Sequence, residues 1–331
     1  MKKGDDRLIL KHRHTPPELF QLESLLKRMP HTHTQLPHWT EKLRRIKAGY
    51  QGEQRIDSLW NEIDIPIPHF FIHDLFIQKQ QSSHQIDTLL ITSHFILILE
   101  IKTISGLLHF DSQTRQFFRT NKDGSIDGMR NPDDQLRRHE KWLEQFLAIR
   151  KIKLPVHGAI VFTYPSAVIQ SKAGKRIMIQ SSGLPYLVDQ FLNDFGNEIH
   201  TRAATKKLAG QLLKLHSIKS IAPFEIPSGL LTGVLCTKCE RTKMFYERKK
   251  WVCNTCLYSN PQAHIDALKQ YRSLFGSTIS NREFRTFSGI TSTSVASKML
   301  VASKMAFKGS FKDRVYLIPE DFLDGDSITP S

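Results

Sequence analysis

Long apolar runs are missing from this chain of 331 residues. No stretch reaches the ~18–20 apolar residues that a membrane span requires. The longest candidate, His94 to Ile101, has the length of a buried strand. Met1-Lys2-Lys3-Gly4-Asp5-Asp6 leads into no apolar signal core of the usual ~7–15 residues. A cytoplasmic protein with no membrane partner is therefore expected. Low-complexity tracts and internal repeats are also lacking, which excludes fibrous and solenoid classes. Cysteine is scarce: there are four, all between positions 236 and 256. In a reducing compartment so tight a cluster argues for a metal site rather than disulfides. Acidic residues fall short of basic ones, 32 against 47, for a formal net charge of +15. Polyanions are the partners that such a balance favours. Residues 201–318 hold 20 Lys and Arg against 6 Asp and Glu, a net of +14, so almost the whole excess sits in the last third.

What is present suits two or three domains. Residues 1–38 read as an N-terminal helical extension and linker, with an amphipathic stretch from Pro17 to Leu26 and a solvated His31–His38 segment. A long helix is expected from Trp39 or Thr40 to Glu62. Its apolar stripe is Leu43, Ile46, Tyr50, Ile56 and Trp60, near helical spacing. Glu53 falls on that stripe, and an inward carboxylate costs free energy unless it is paired or binds a metal. Strands follow at Phe70–Ile77, Gln85–Thr92 and His94–Thr103, with a second hairpin on the sheet edge from Leu107–Asp111 and Arg115–Thr120. Asn131 and Pro132 open a helix to about Arg150, as N-cap and first helical residue. Val156–Thr163 is another buried strand. The order predicts a mixed α/β sheet with helices on its faces over 39–165. An α/β extension with a basic helix at Thr201–Leu215 covers 166–225, and Pro223 and Pro227 mark its end.

The informative string is Gln85-Ile86-Asp87 followed by Glu100-Ile101-Lys102. Strand alternation puts Glu100 and Lys102 on one face with Ile96 and Ile98. Two charges ending an apolar central strand are unexpected unless they point into a site, and Asp87 on the preceding strand lies within reach. Hard divalent cations take carboxylate oxygens. Such a cation activates water and stabilises phosphorane charge, with lysine to orient the water or neutralise the transition state.

These residues resemble the nuclease-related domain, NERD, a member of the PD-(D/E)xK nuclease superfamily. The resemblance covers ~46–145. It rests on Gly49-Tyr50-Gln51-Gly52-Glu53, Gln85-Ile86-Asp87, Glu100-Ile101-Lys102, Gly106, Asn131-Pro132, Gln135 and Arg138-His139. It implies a restriction-endonuclease-like fold and Mg²⁺- or Mn²⁺-dependent DNA cleavage. Asp87 and Glu100 would be the principal ligands and Glu53 would assist. Lys102 would be catalytic and Gln135 an accessory residue. Related exonucleases place an aromatic four residues after that glutamine, where this chain has His139.

Farther on, Cys236-Thr237-Lys238-Cys239 and Cys253-Asn254-Thr255-Cys256 stand thirteen residues apart. This is a four-thiolate pattern for structural Zn²⁺, and it resembles a zinc ribbon over 226–260. Strands at Met244–Tyr246 and Trp251–Val252 would turn at Arg248-Lys249-Lys250. An iron–sulfur cluster or a redox pair is the alternative. Helices at Ala263–Phe275, Asn281–Phe287 and Thr291–Met305, then a hairpin from Lys308–Lys312 and Val315–Ile318, resemble a winged helix-turn-helix over 261–320. Lys298 and Lys304 would face phosphates. A small helical bundle for protein contacts is the alternative, and 321–331 is a tail. The function expected is a metal-dependent DNA nuclease in DNA processing or defence, held on DNA by its basic C-terminal region. Its rivals are a catalytically inactive nucleic-acid-binding or regulatory protein and a nuclease acting on RNA.

Overall fold

The computed structural model describes residues 7–78, 82–111, 113–121, 123–172, 176–219, 225–310 and 313–320. The tail over 321–331, Pro223, and Lys312 at the tip of the expected hairpin lie outside the described residues. The chain forms two compact units: Met1–His14 with Lys47–Ser220, and Thr15–Ile46 with Ile221–Ser331.

The first unit is built on a six-stranded mixed sheet. Its strands are β1 (Arg7–Lys11), β2 (His69–Gln78), β3 (Ser83–Thr92), β4 (Ile96–Lys102), β8 (Val156–Phe162) and β10 (Ile177–Gln180), in the order β1-β2-β3-β4-β8-β10. β2, β3 and β4 pair antiparallel, whereas β8 lies parallel to both β4 and β10. Apolar residues fill both faces of β4, as the sequence leads one to expect of a central strand covered by helices. On one face Ile96 and Ile98 join Leu136 and Leu143 of α3 (Pro132–Ile149) and Leu208 and Leu212 of α5 (Arg202–Leu213). On the other, Leu97 and Leu99 join Ile56 of α2 (Leu36–Leu59) and Val188 and Phe191 of α4 (Leu184–Asp194). The 3₁₀ turn Trp60–Glu62 continues α2 and buries Trp60 in that second core.

Two expectations are corrected here. Residues 7–11 are not part of a helical extension: β1 pairs parallel with β2. The pair β5 (Gly106–Asp111) and β6 (Phe117–Thr120) is not on the edge of the main sheet. It belongs to a second sheet, ordered β7-β6-β5-β9, with β7 (Ile126–Met129) and β9 (Ala167–Lys172). Gly106 explains the departure. Its φ of 100° is a conformation that side chains resist, and it turns the chain out of β4 into a new sheet.

In the second unit α1 (Pro17–Arg28) packs on α6 (Ala263–Phe275), with Leu22, Leu25 and Met29 against Leu274. Arg28 is fully buried, donates to the carbonyls of Leu231 and Gly233, and lies over the Phe287 ring. The ribbon strands are β11 (Phe245–Glu247), β12 (Lys250–Val252) and β13 (Ser259–Asn260). α7 (Asn281–Ser288) starts at a capping box between Ser280 and Glu283 and ends at Gly289 in the left-handed region. α8 (Thr293–Ala302) is capped by Ser292. A three-stranded sheet then closes the unit, in the order β14 (Thr278–Ser280), β16 (Val315–Leu317), β15 (Ala306–Lys308).

Candidate functional site

The acidic centre arises where the β3–β4 ladder stops. Pairing runs from Ile91 opposite Ile96 to Thr88 opposite Leu99. One step farther, Asp87 uses its side chain: Oδ2 accepts the Ile101 N–H at 2.8 Å. β4 stays straight because its other edge pairs with β8 as far as Lys102 opposite Phe162. Glu100 and Lys102 therefore project from a rigid strand on the α3 side. The Lys102 Nζ donates to Glu100 Oε1 at 2.5 Å and to Gln135 Oε1 at 3.3 Å. Gln135 reaches the lysine from the first turn of α3. The start of that helix is fixed by Asn131, whose side chain accepts the Asp133 N–H.

Glu100 is 1% exposed, and its Oε2 has no hydrogen-bond partner. Burial, then the neighbouring Asp87, pushes its carboxyl up to about 8 despite Lys102. Asp87 is also raised, by burial, against the pull of Lys102 and the Ile101 N–H. Burial opposes the charge on Lys102, but Glu100 and Asp87 hold its ammonium above the usual range. A buried, unpartnered carboxylate oxygen beside a second carboxylate is a donor set for a hard divalent cation.

Glu53 comes from α2, the helix on the opposite face. Its carboxyl is raised to about 7 by burial and then by Asp87. Its Oε2 accepts from Arg13 Nη1 at 2.6 Å, and Arg13 Nη2 donates to the Asp87 carbonyl at 2.7 Å. Arg13 was not foreseen from the sequence: its partners lie 40 and 74 residues away and no local pattern marks it. The structure thus joins Glu100, Lys102 and Gln135 by hydrogen bonds, anchors Asp87 beside them on the Ile101 N–H, and ties Glu53 to the Asp87 backbone through Arg13. The three carboxylates stay more open than the cysteine group below. That group alone, among the described residues, brings three or more potential ligand atoms within 4.8 Å of one another. His139 makes its side-chain contact with another histidine rather than with a carboxylate of the centre. It is buried against His84, Nδ1 to Nδ1 at 3.1 Å, and burial lowers it to about 4.

The four cysteines form a second site. Cys236 Sγ lies 3.7 Å from that of Cys256, and Cys239 Sγ lies 4.0 Å from that of Cys253. A tetrahedron of sulfurs around zinc has edges of about 3.8 Å, so the quartet fits that ion. The two knuckles repeat one geometry: Glu240 and Leu257, each directly after a second cysteine, both take positive φ, 54° and 58°. Backbone N–H groups of Cys256 and Thr255 bring the Cys253 thiol down to about 6, toward the thiolate a metal needs.

A mixed α/β sheet flanked by helices, ending in an Asp–Glu–Lys cluster, is the architecture of a nuclease-like fold. Residues 48–163 match the family model of the nuclease-related domain, NERD. Comparison with curated proteins and with solved structures gave no match. No helix among the described residues is long and apolar enough to cross a membrane.

Proposed function

We propose that this chain is a divalent-metal-dependent nuclease that acts on DNA, with a zinc-stabilised, basic second unit that holds the substrate. One observation carries the reading. Glu100 is buried with an unpartnered oxygen beside Asp87 and Lys102, inside the NERD segment. Asp87 and Glu100 would hold Mg²⁺ or Mn²⁺, and Glu53 would assist. When bound, the cation supplies an activated water and neutralises charge on the scissile phosphate. The other roles fall to the chain. The Lys102 ammonium donates toward the attacking water or a phosphate oxygen and stabilises negative charge as it develops. Gln135 holds that lysine from α3. Asp87 keeps its orientation through the Ile101 N–H. The α6–α8 region with its terminal hairpin supports a winged-helix-like reading, in which α8 presents small hydroxyls at its start and Lys298 along its length. Four thiolates leave no open coordination position, so zinc there is structural.

The test is cleavage of labelled duplex, single-stranded DNA and RNA in Mg²⁺, in Mn²⁺ and in chelator. Metal-dependent cutting of DNA in preference to RNA is expected. No cutting of any substrate would leave a nucleic-acid-binding protein that keeps the fold.

A further inference from the structure

We infer that the acidic centre takes a single divalent cation, because the buried guanidinium of Arg13 already stands where a second would be held. The inference rests on the metal-dependent reading above, but its key residue lies outside that reading. Glu53 and Asp57 are four apart on α2, so both carboxylates face the same way and form a cation-binding pair. Arg13 fills it. Its Nε and Nη2 donate to Asp57 Oδ2 and Oδ1 at 2.8 and 3.2 Å, and Nη1 donates to Glu53 Oε2 at 2.6 Å. Nη2 also reaches the Asp87 carbonyl and, at 3.2 Å, Thr88 Oγ1. His73 Nδ1 closes the network 3.1 Å from Asp57 Oδ1. The Arg13 side chain is 4% exposed. A guanidinium cannot vacate the place by losing its proton, and expelling it would strip five hydrogen bonds at once.

The other end of the centre is different. There Glu100 Oε2 has no partner; Lys102 bonds Glu100, and Arg13 meets Asp87 at its backbone carbonyl while the Asp87 carboxylate accepts from the Ile101 N–H. The charges agree with one ion. Five carboxylates, Glu53, Asp57, Asp74, Asp87 and Glu100, stand against three cations, Arg13, Lys102 and the Lys11 that pairs with Asp74. The formal remainder is −2, which one divalent cation cancels. A second would bury a net charge of +2, which is costly without a partner; without Arg13 two ions would leave half that excess and find Glu53 and Asp57 vacant. Glu53 Oε1 makes no hydrogen bond among the described residues, so this residue can serve Arg13 and the single ion together.

The experiment counts Mn²⁺ bound to the full-length protein, with the cysteine site undisturbed, from the electron paramagnetic resonance signal of the free ion. Wild type should bind one Mn²⁺, lost in Glu100→Gln. Arg13→Gln should bind two, and the second should vanish when Glu53→Gln is added. Arg13→Lys keeps one charge in place and should still bind one. Two ions in wild type overturn the inference. So does one ion in Arg13→Gln whose circular dichroism matches wild type. Should Arg13→Gln fail to fold, the wild-type and Arg13→Lys counts decide. If wild type binds none while Arg13→Gln gains one that needs Glu53, the metal-dependent reading falls and the place assigned to Arg13 stands.

Discussion

At the scale of single residues, the acidic centre stores repulsion. Glu100 and Glu53 both keep their protons well above the ordinary carboxylate range, to about 8 and about 7, chiefly through burial and then through Asp87. Below the ordinary glutamate value of about 4.3 these groups are protonated whether the chain is folded or not, and their contribution is fully present. As pH rises, the unfolded chain releases those protons first, so stability is lost as pH climbs through about 7 and about 8. In chelator, the melting temperature should therefore fall between pH 5 and pH 8.5. Glu100→Gln should flatten the fall, and Mn²⁺ should raise the melting point more at pH 8 than at pH 6. An unchanged slope in Glu100→Gln would show that this carboxyl does not govern it. The same repulsion sets the outcome of Asp87→Ala and Glu100→Ala. Both should abolish metal-dependent cleavage, while melting in chelator stays close to wild type, because relief of like-charge repulsion offsets the loss of the Ile101 N–H bond in Asp87→Ala and of the Lys102 pair in Glu100→Ala. Variants that cut as fast as wild type would remove these residues from the site.

At the scale of elements, Gly52 decides how closely α2 approaches the sheet. A Cβ there would sit 2.0 Å from Thr103 Oγ1 and 2.7 Å from Thr163 Oγ1, two hydroxyls that hydrogen-bond each other at 3.0 Å. Both neighbours are β-branched and stiff. Alanine ordinarily improves a helix by about 1 kcal/mol over glycine, but here overpacking of about 1–3 kcal/mol wins. Gly52→Ala should lower the melting temperature by several degrees and displace Glu53 next to it, whereas Gly49→Ala, with nothing within 4 Å, should not. The ribbon allows a parallel test. Chelating its metal, or Cys253→Ser, should abolish the near-ultraviolet signal of Trp251, which is buried in the second unit's core with Cys253. The signal of the first unit, which contains no cysteine, should remain. Loss of both together would show that the metal is not confined to this element. Elements with local signals were legible in the sequence. Asn131–Pro132 announces α3, and the apolar runs announce β2, β3 and β4 nearly to the residue. Those lost to the reading depend on distant partners. β1 is five residues long and gains its meaning only beside β2, and β9 pairs parallel with β5 across some sixty residues of chain. In the same way, Asp87, Glu100 and Lys102 were legible as a pattern, while Arg13 became visible only once the fold brought it to them.

At the scale of the whole molecule, the unit boundaries change what a truncation can report. Residues 15–46 belong to the second unit, and Leu22, Leu25 and Met29 bury their side chains against Leu274. A fragment ending near residue 200 would expose that apolar face and aggregate, so its weak DNA binding would say nothing about charge. Charge neutralisation within the folded chain is the sounder measurement. The segment 201–318 carries a net of +14, and its ribbon offers Arg248, Lys249 and Lys250 around the β11–β12 turn. Each cation that neutralises a phosphate releases counterions, which contributes about −0.9 to the slope of log K against log salt on duplex DNA. Wild-type affinity should therefore fall steeply between low and moderate salt. Replacing Arg248, Lys249 and Lys250 by Gln should make the slope shallower by about two to three, while melting changes little because the turn is exposed. Lys298→Gln should subtract about one more if α8 lies against the backbone. The same substitutions should leave cleavage rates at saturating DNA close to wild type, since none belongs to the unit that carries Glu100. Should the triple variant keep the wild-type slope, the ribbon is not the surface that grips DNA. Should cleavage at saturation fall with affinity unchanged, the second unit acts on the chemistry rather than on capture.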